Sequence, residues 1–392
     1  MQDLTYDFDR IIERQGTNST KWDRCTALFG REDVLPMWVA DMDFACPEPV
    51  LRAIKERTDH PTYGYSFPPA SLYESIMAWY QERYGWKLNE EWILFTAGVV
   101  NALYTAVEAF SEVGDQIIIQ SPVYPPFFST IRNLGRHVLN NQLLEGENGY
   151  RMDWDDLEKK LSGHNVPLMI LCSPHNPVGR VWSKEELSRL AQLCLDHNCL
   201  LISDEIHCDL LLWDNQHIAT STLSSEVEER TITLGAASKT FNLAGLATSY
   251  VIIPDDELRK RFVRWRAGDN QGNMFGYIAM EAAYSQGGDY LKQLMSYLEG
   301  NMRFFADSLA ERLPQLRMSL PDATYLAWVD MRELGLSARQ LTQLLCNEAR
   351  LGLNAGEMFG PGGEGFQRFN LGCPRRVIAE AVSRLEGALQ RF

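Results

Sequence analysis

The chain has little with which to hold nucleic acid, span a membrane or fold around disulfides. Basic residues are the scarcer charge, 37 Lys and Arg against 52 Asp and Glu, for a net charge of −15. That excludes a general polyanion-binding or anionic-membrane surface and leaves room only for a local basic pocket. The densest basic run, Arg259, Lys260, Arg261, Arg264 and Arg266, is spaced around Phe262, Val263 and Trp265 as the solvated side of one amphipathic helix. The eight cysteines contain no C-x-x-C pair and no tight cluster. Neither a disulfide framework nor a metal site is therefore expected, and reduced thiols in a cytoplasm are. No apolar run approaches membrane length, and the first residues are polar rather than signal-like. There is no internal repeat and no low-complexity segment.

What is present is ordinary core-forming material: 392 residues, 45% hydrophobic and 23% charged, enough for two domains that need no staple. From Trp92 onward short apolar runs alternate with helical patterns. Strands are predicted over Trp92 to Thr96, Gln116 to Gln120, Arg136 to Leu143, Pro167 to Cys172, Cys199 to Ser203, Arg230 to Leu234 and Ser249 to Ile253. Strands this short and wholly apolar belong to a mainly parallel seven-stranded sheet with helices on both faces, an α/β architecture. After about residue 285 helices dominate, and Ala323 to Asp330 and Gln367 to Leu371 add strands, with one helix predicted over Ala338 to Arg350. That predicts an N-terminal arm over 1–45 packing with a smaller α+β domain over 286–392, and a large domain over 46–285.

In such a sheet ligands bind beyond the carboxyl ends of the strands, and the unusual residues collect there. One strand is followed by Thr96-Ala97-Gly98 and a helix start at Val99 and Val100, an anion site made of free amides. The next ends supply Asn176 between two prolines, then Asp204-Glu205-Ile206-His207, then Ser238-Lys239. Each alone reads as turn, cap or core. Four at successive strand ends, one of them a lysine, read as a site.

A lysine amine removed from water loses basicity and can attack a carbonyl to form a Schiff base. If a bond at a substrate Cα is to break, an electron sink is needed, and pyridoxal 5′-phosphate (PLP) is one. The residues suit it: Asp204 opposite a pyridine nitrogen, Asn176 near the ring oxygen, His207 either near that oxygen or orienting Asp204, Gly98, Val99, Val100 and Ser238 at the phosphate, and Tyr124 as an aromatic lid.

The stretches Ser173-Pro174-His175-Asn176-Pro177-Val178-Gly179, Ser203-Asp204-Glu205 and Ser238-Lys239-Thr240-Phe241-Asn242 resemble the fold-type I PLP-dependent enzymes, the aspartate aminotransferase superfamily. Val39-Ala40-Asp41-Met42-Asp43-Phe44, Asp204-Glu205-Ile206-His207 and Asn370-Leu371-Gly372-Cys373-Pro374-Arg375 narrow the resemblance to the MalY/PatB branch, C–S lyases of the cystathionine β-lyase or cystalysin type. The resemblance implies that Lys239 carries the cofactor and is the catalytic base, with Asp204 and Tyr124 in catalytic roles. It implies that Arg368 clamps the substrate α-carboxylate beside Asn176 and the backbone of Val39 and Ala40. It also implies a homodimer in which Tyr63 reaches the neighbouring site.

Two positions depart from the aminotransferase pattern. The residue eight after the lysine, an arginine in many members, is Ala247, and the residue three before it is Ala236. The missing arginine fits the lyase branch, and the phosphate charge is then left to helix amides, Ser238 and Tyr63. The expected reaction is an α,β-elimination of a β-thio amino acid to pyruvate, ammonia and a thiol. Transamination is the rival. A regulatory protein that retains PLP is a second rival; its mark would be loss of Lys239 or Asp204, and both are present. The sequence leaves room for a regulatory protein partner.

Overall fold

The computed structural model describes residues 5–146, 149–266 and 271–391. The large sheet is formed by β1 (Ile93–Thr96), β2 (Gln116–Ile119), β3 (His137–Asn140), β4 (Leu168–Cys172), β5 (Leu200–Asp204), β6 (Thr231–Gly235) and β7 (Ser249–Ile252). Their spatial order is β1-β7-β6-β5-β4-β2-β3. All run parallel except β7, which is antiparallel to both of its neighbours.

Every residue of β4, β5 and β6 is buried, because helices cover both faces. Ile117, Ile119, Leu168 and Ile170 point to one side, where Ala102, Leu103, Ala106 and Val107 of α3 (Val99–Phe110) meet them. Ile118, Met169 and Leu171 point to the other, against Leu157 and Leu161 of α5 (Trp154–Gly163) and Leu187 and Leu190 of α6 (Lys184–Asp196). The period-two alternation of an apolar strand thus serves two cores at once. A capping box starts α6: Ser183 accepts from Glu186 N, and Glu186 accepts from Ser183 N. Helices α1 (Glu48–Thr58) and α2 (Ala70–Tyr84) pack on α8 (Met274–Gln286). The basic helix α7 (Asp256–Trp265) buries Phe262, while Val263 and Trp265 stay exposed. Its apolar side is therefore narrower than the spacing suggested.

A second, antiparallel sheet holds β8 (Leu326–Asp330), β9 (Asn354–Ala355) and β10 (Phe366–Asn370), with β10 central. Helices α9 (Gly288–Arg312) and α10 (Arg375–Leu389) pack together beside it. The N-terminal segment joins this part through Leu35–Pro36, which pairs in parallel with Leu351–Gly352. The helix predicted over Ala338 to Arg350 is instead one α-turn segment, Ala338–Thr342, widening to a π-helix over Gln343–Glu348 that keeps Leu344 and Leu345 buried.

Strand register sets up the site. Cys172 pairs with Asp204, and Asp204 with Leu234. The segments that follow β4, β5 and β6 therefore leave the sheet side by side along one rim.

Candidate active site

A cavity of about 1020 Å³ opens on that rim. Its floor is formed by the strand-end segments and the start of α3, and its roof by the N-terminal strap around residues 38–46 and by Arg368.

Lys239 lies just past β6, in a tight turn held by Phe241 N to Ala237 O at 3.0 Å and Leu243 N to Ser238 O at 2.9 Å. Its Nζ donates to Ala40 O at 2.6 Å. Burial lowers its pKa to about 8, helped by the Arg368 charge and opposed by Asp41 and Asp204. The surface it retains faces the cavity. Two neighbours pin the turn. Thr240, fully buried, donates Oγ1 to Asp209 Oδ2 at 2.8 Å. The other oxygen of Asp209 takes Trp79 Nε1 at 3.0 Å, Tyr84 OH at 2.5 Å and Arg83 Nε at 2.9 Å, all from α2. Asn242 adopts a left-handed φ of 59°. Its amide ties the strap to the turn, accepting from Met42 N and donating to Met42 O and Phe44 O, each at 2.9 Å.

Asp204 ends β5. Among the described residues one donor reaches its carboxylate, Ile206 N at 3.3 Å. Burial raises its pKa to about 7, and Glu205 adds to the rise. The next residue has a different part. Glu205 is spent on the fold, accepting from Ser203 Oγ at 2.8 Å and Thr220 N at 3.0 Å, with His217 Nε2 at 2.8 Å. His207 is buried on the cavity wall and makes no hydrogen bond to Asp204; its Nδ1 has no partner among the described residues. Burial and the charges of Lys239 and Arg368 hold its pKa down at about 3, so it is neutral. Tyr124 caps the N-terminus of α4 (Pro125–Asn133) and faces the same space. Burial and the nearby Asp204 keep its hydroxyl protonated at neutral pH.

Two anion-receptive features complete the wall. Arg368, in the middle of β10, donates to Asn176 Oδ1 at 3.0 Å, Trp38 O at 2.9 Å and Asn354 Oδ1 at 2.7 Å, and lies 4.9 Å from the Phe359 ring centroid. It is buried, charged, with a pKa lowered by burial to about 10, and without a carboxylate partner among the described residues. A buried cation left in that state favours an incoming anion. The second feature is the start of α3. Gly98, at φ 104°, has no side chain with which to cap the helix. The first intrahelical bond is Ala102 N to Gly98 O, which leaves the amides of Val99 and Val100 free for an anion.

Lys239, Asp204, Asn176, His207, Tyr124, Ser238, Gly98, Val99, Val100, Val39, Ala40 and Arg368 thus come together on one cavity. Tyr63 does not. It is 57% exposed and donates its hydroxyl to Thr58 O at 3.1 Å, beside exposed Tyr65 and Phe67. Ala247 lines the cavity in a left-handed turn, φ 43°, and Ala236 is buried. Sequence reasoning missed Asp209, Asn242, Asn354 and Tyr325, which donates to Ala40 O at 2.9 Å. It also missed the part played by Asn370, whose Nδ2 holds Val39 O at 2.6 Å and Asp41 O at 2.7 Å. Asn242 and Asn370 stood inside quoted motifs, and a polar amide beside a catalytic segment was the available signal.

The profile of the aminotransferase class I and II family matches residues 32–385. The chain is 46% identical to cystathionine beta-lyase PatB of Bacillus subtilis (strain 168), over 97% of this chain and 99% of that one. It is 31% identical to Protein MalY of Escherichia coli (strain K12), over 98% and 99%. Among solved structures, cystalysin from Treponema denticola, which contains a PLP cofactor, matches with a TM-score of 0.96 at 35% identity, over 99% of this chain and 100% of that one.

Proposed function

The chain belongs to the aminotransferase class I and II family, and on that premise we propose that it is a PLP-dependent carbon–sulfur β-lyase that converts a β-thio amino acid to pyruvate, ammonia and a thiol. The donor set fits PLP. A buried amine and a carboxylate with spare acceptor capacity share the cavity with an uncapped helix start. Lys239 would hold the cofactor, Asp204 would face its ring nitrogen, and Asn176 its ring oxygen. Tyr124 would stack on the ring. The amides of Val99 and Val100, with Ser238, would take its phosphate. When bound, PLP supplies the sink for the electron pair left at a substrate Cα.

The protein's own groups do the rest. Arg368 binds the α-carboxylate, a task suited to an unpaired guanidinium. Lys239 Nζ, kept in place by Ala40 O and with a lowered pKa, takes the Cα proton. Tyr124 OH or the same amine returns a proton to the departing sulfur. Asp204, whose pKa near 7 reflects burial with a single backbone donor, would be held as an anion by a protonated ring nitrogen.

The carrying observation is Arg368, a buried cation awaiting a carboxylate in the cavity of the Lys239 amine. The named activity of the 46%-identical relative favours elimination over transamination, which would use the same residues up to proton abstraction. Pyruvate released from cystathionine without any keto acid is the expected result. A strict requirement for a keto acid would establish transamination instead.

The same reading makes the protein a cytoplasmic homodimer. Tyr63 is assigned to the neighbouring subunit's site, a role its exposure supports. An arm over 1–45, a large domain over 46–285 and a small domain over 286–392 are its working parts.

A further inference from the structure

The cavity extends past Lys239 to the N-terminal arm, where four charges form one cluster. Arg14 Nη2 meets Asp41 Oδ2 at 2.5 Å, and Arg14 Nη1 meets Asp43 Oδ1 and Lys21 Nζ meets Asp43 Oδ2, both at 2.6 Å. The cluster is neutral, yet its two halves are placed differently. Lys21 and Asp43 keep 1% and 8% of their side-chain surface, whereas Arg14 and Asp41 keep 21% and 23%. The inner pair is structural. Both residues of the outer pair line the cavity, whereas of the inner pair only Asp43 does.

The outer pair also has unused capacity. Of the five N–H donors of the Arg14 guanidinium, Nη1 and Nη2 serve Met42 O, Asp43 and Asp41 and leave Nε without a bond. Asp41 Oδ1, itself shielded from solvent, has no donor among the described residues. Asp41 follows Ala40, whose carbonyl takes the Lys239 amine, so the pair is one residue from the reacting centre. An ion pair of that kind, mostly buried on the cavity wall and incompletely bonded, matches a second zwitterion.

We propose that Arg14 and Asp41 determine specificity by recognising the distal amino-acid group of substrates that carry one beyond the sulfur, with Arg14 taking the distal carboxylate and Asp41 the distal ammonium. The assignment rests on the β-lyase reading for its substrates but not for its binding test. Arg368 holds the reacting end and the Arg14–Asp41 pair the far end. Substrates such as cystathionine or cystine therefore gain over a simple S-alkylcysteine.

The test uses PLP-loaded protein, wild type and the variants Arg14→Gln, Arg14→Lys and Asp41→Asn. The readout is the ratio of kcat/KM for cystathionine to that for S-methylcysteine, which cancels any effect of Asp41 on Lys239 common to both. The ratio should fall roughly tenfold or more in Arg14→Gln and Asp41→Asn, and less in Arg14→Lys. An unchanged ratio in the folded variants overturns the proposal. A binding arm is independent of turnover. Diaminosuberate, which has two amino-acid ends and no leaving group, should raise the Tm of the wild type more than norleucine does, and Asp41→Asn should erase the difference. Equal shifts from the two ligands in the wild type also overturn the proposal. Absence of pyruvate from both substrates sinks the lyase reading alone, and the diaminosuberate comparison then decides the distal site.

Discussion

Lys239 Nζ and Ala40 O meet at 2.6 Å across 199 residues of sequence. The carbonyl fixes where the amine points without adding a charge, so burial and the Arg368 cation set its basicity. In PLP-free protein, residue 239 should react with an amine-arylating reagent along a titration curve centred at about 8, well below an ordinary lysine. Peptide mapping at several pH values measures it. A midpoint near 10 would contradict the desolvated setting.

Asp204 makes the opposite kind of prediction, about stability. Its folded pKa is raised to about 7. Below the ordinary carboxylate range it is protonated in both states and costs nothing. As pH rises towards 7 the unfolded chain releases this proton while the folded chain retains it, so stability falls, and the full cost is present above 7. PLP-free Asp204→Asn should therefore be more stable than PLP-free wild type at pH 8, by something on the order of 2–4 kcal/mol, with the gap closing towards pH 4. Thermal melts across that range test it. The same variant loaded with PLP should have lost most of its turnover.

Removing Arg368 takes away a buried cation on the cavity that has no carboxylate partner among the described residues. Arg368→Gln should lower kcat/KM by roughly a hundredfold or more, mostly through KM, while PLP stays bound. Loss of PLP with KM unchanged would reassign the residue to the cofactor.

The Asp209–Thr240 bond holds the residue next to Lys239. Asp209 is not among the charges that shift the Lys239 pKa, so its effect is positional. Thr240→Val, which keeps shape and loses the hydroxyl, should reduce kcat roughly tenfold or more with little change in KM. Thr240→Ser should restore it. A fall in Tm with kcat preserved would leave the bond a purely structural one.

The proposed homodimer with shared sites can be tested by mixing. Lys239→Ala and Tyr63→Ala homodimers should each be weak or inactive. Refolded together, they place one intact lysine opposite one intact tyrosine in each hybrid and should recover up to roughly a quarter of wild-type activity. No recovery would remove Tyr63 from the neighbour's site.

The parts of this architecture that rest on local periodicity could be read before folding. Helix Val99–Phe110 starts where its pattern implied; of the seven predicted strands in the large sheet four lose one residue at one end, two shift by one residue along the chain, and Arg136 to Leu143 reduces to His137–Asn140. Arg368 and Asn176 were legible because each stands inside a recognisable motif. Asp209 was not: five residues past Asp204, it looked like an ordinary acid until folding brought Thr240 and α2 around it. The order of the sheet, with β7 reversed between β1 and β6, depends on pairings between distant segments. Nothing in the composition of Ser249–Ile252 encodes its direction.

The strap over the cavity is held by its main chain. Trp38 O is taken by Arg368, Val39 O by Asn370, and Ala40 O by Lys239 and Tyr325. Asp41 O is taken by Asn370 and Met42 O by Asn242. These are atoms that every amino acid supplies. Outside Asp41 and Asp43, whose side chains carry the ion-pair cluster, substitution along the strap is therefore limited by fit far more than by chemical identity, and two descendants of this site could drift apart there in spelling while keeping the same grip on the lysine. Divergence of reaction type would be written elsewhere, in the side chains that reach for those carbonyls.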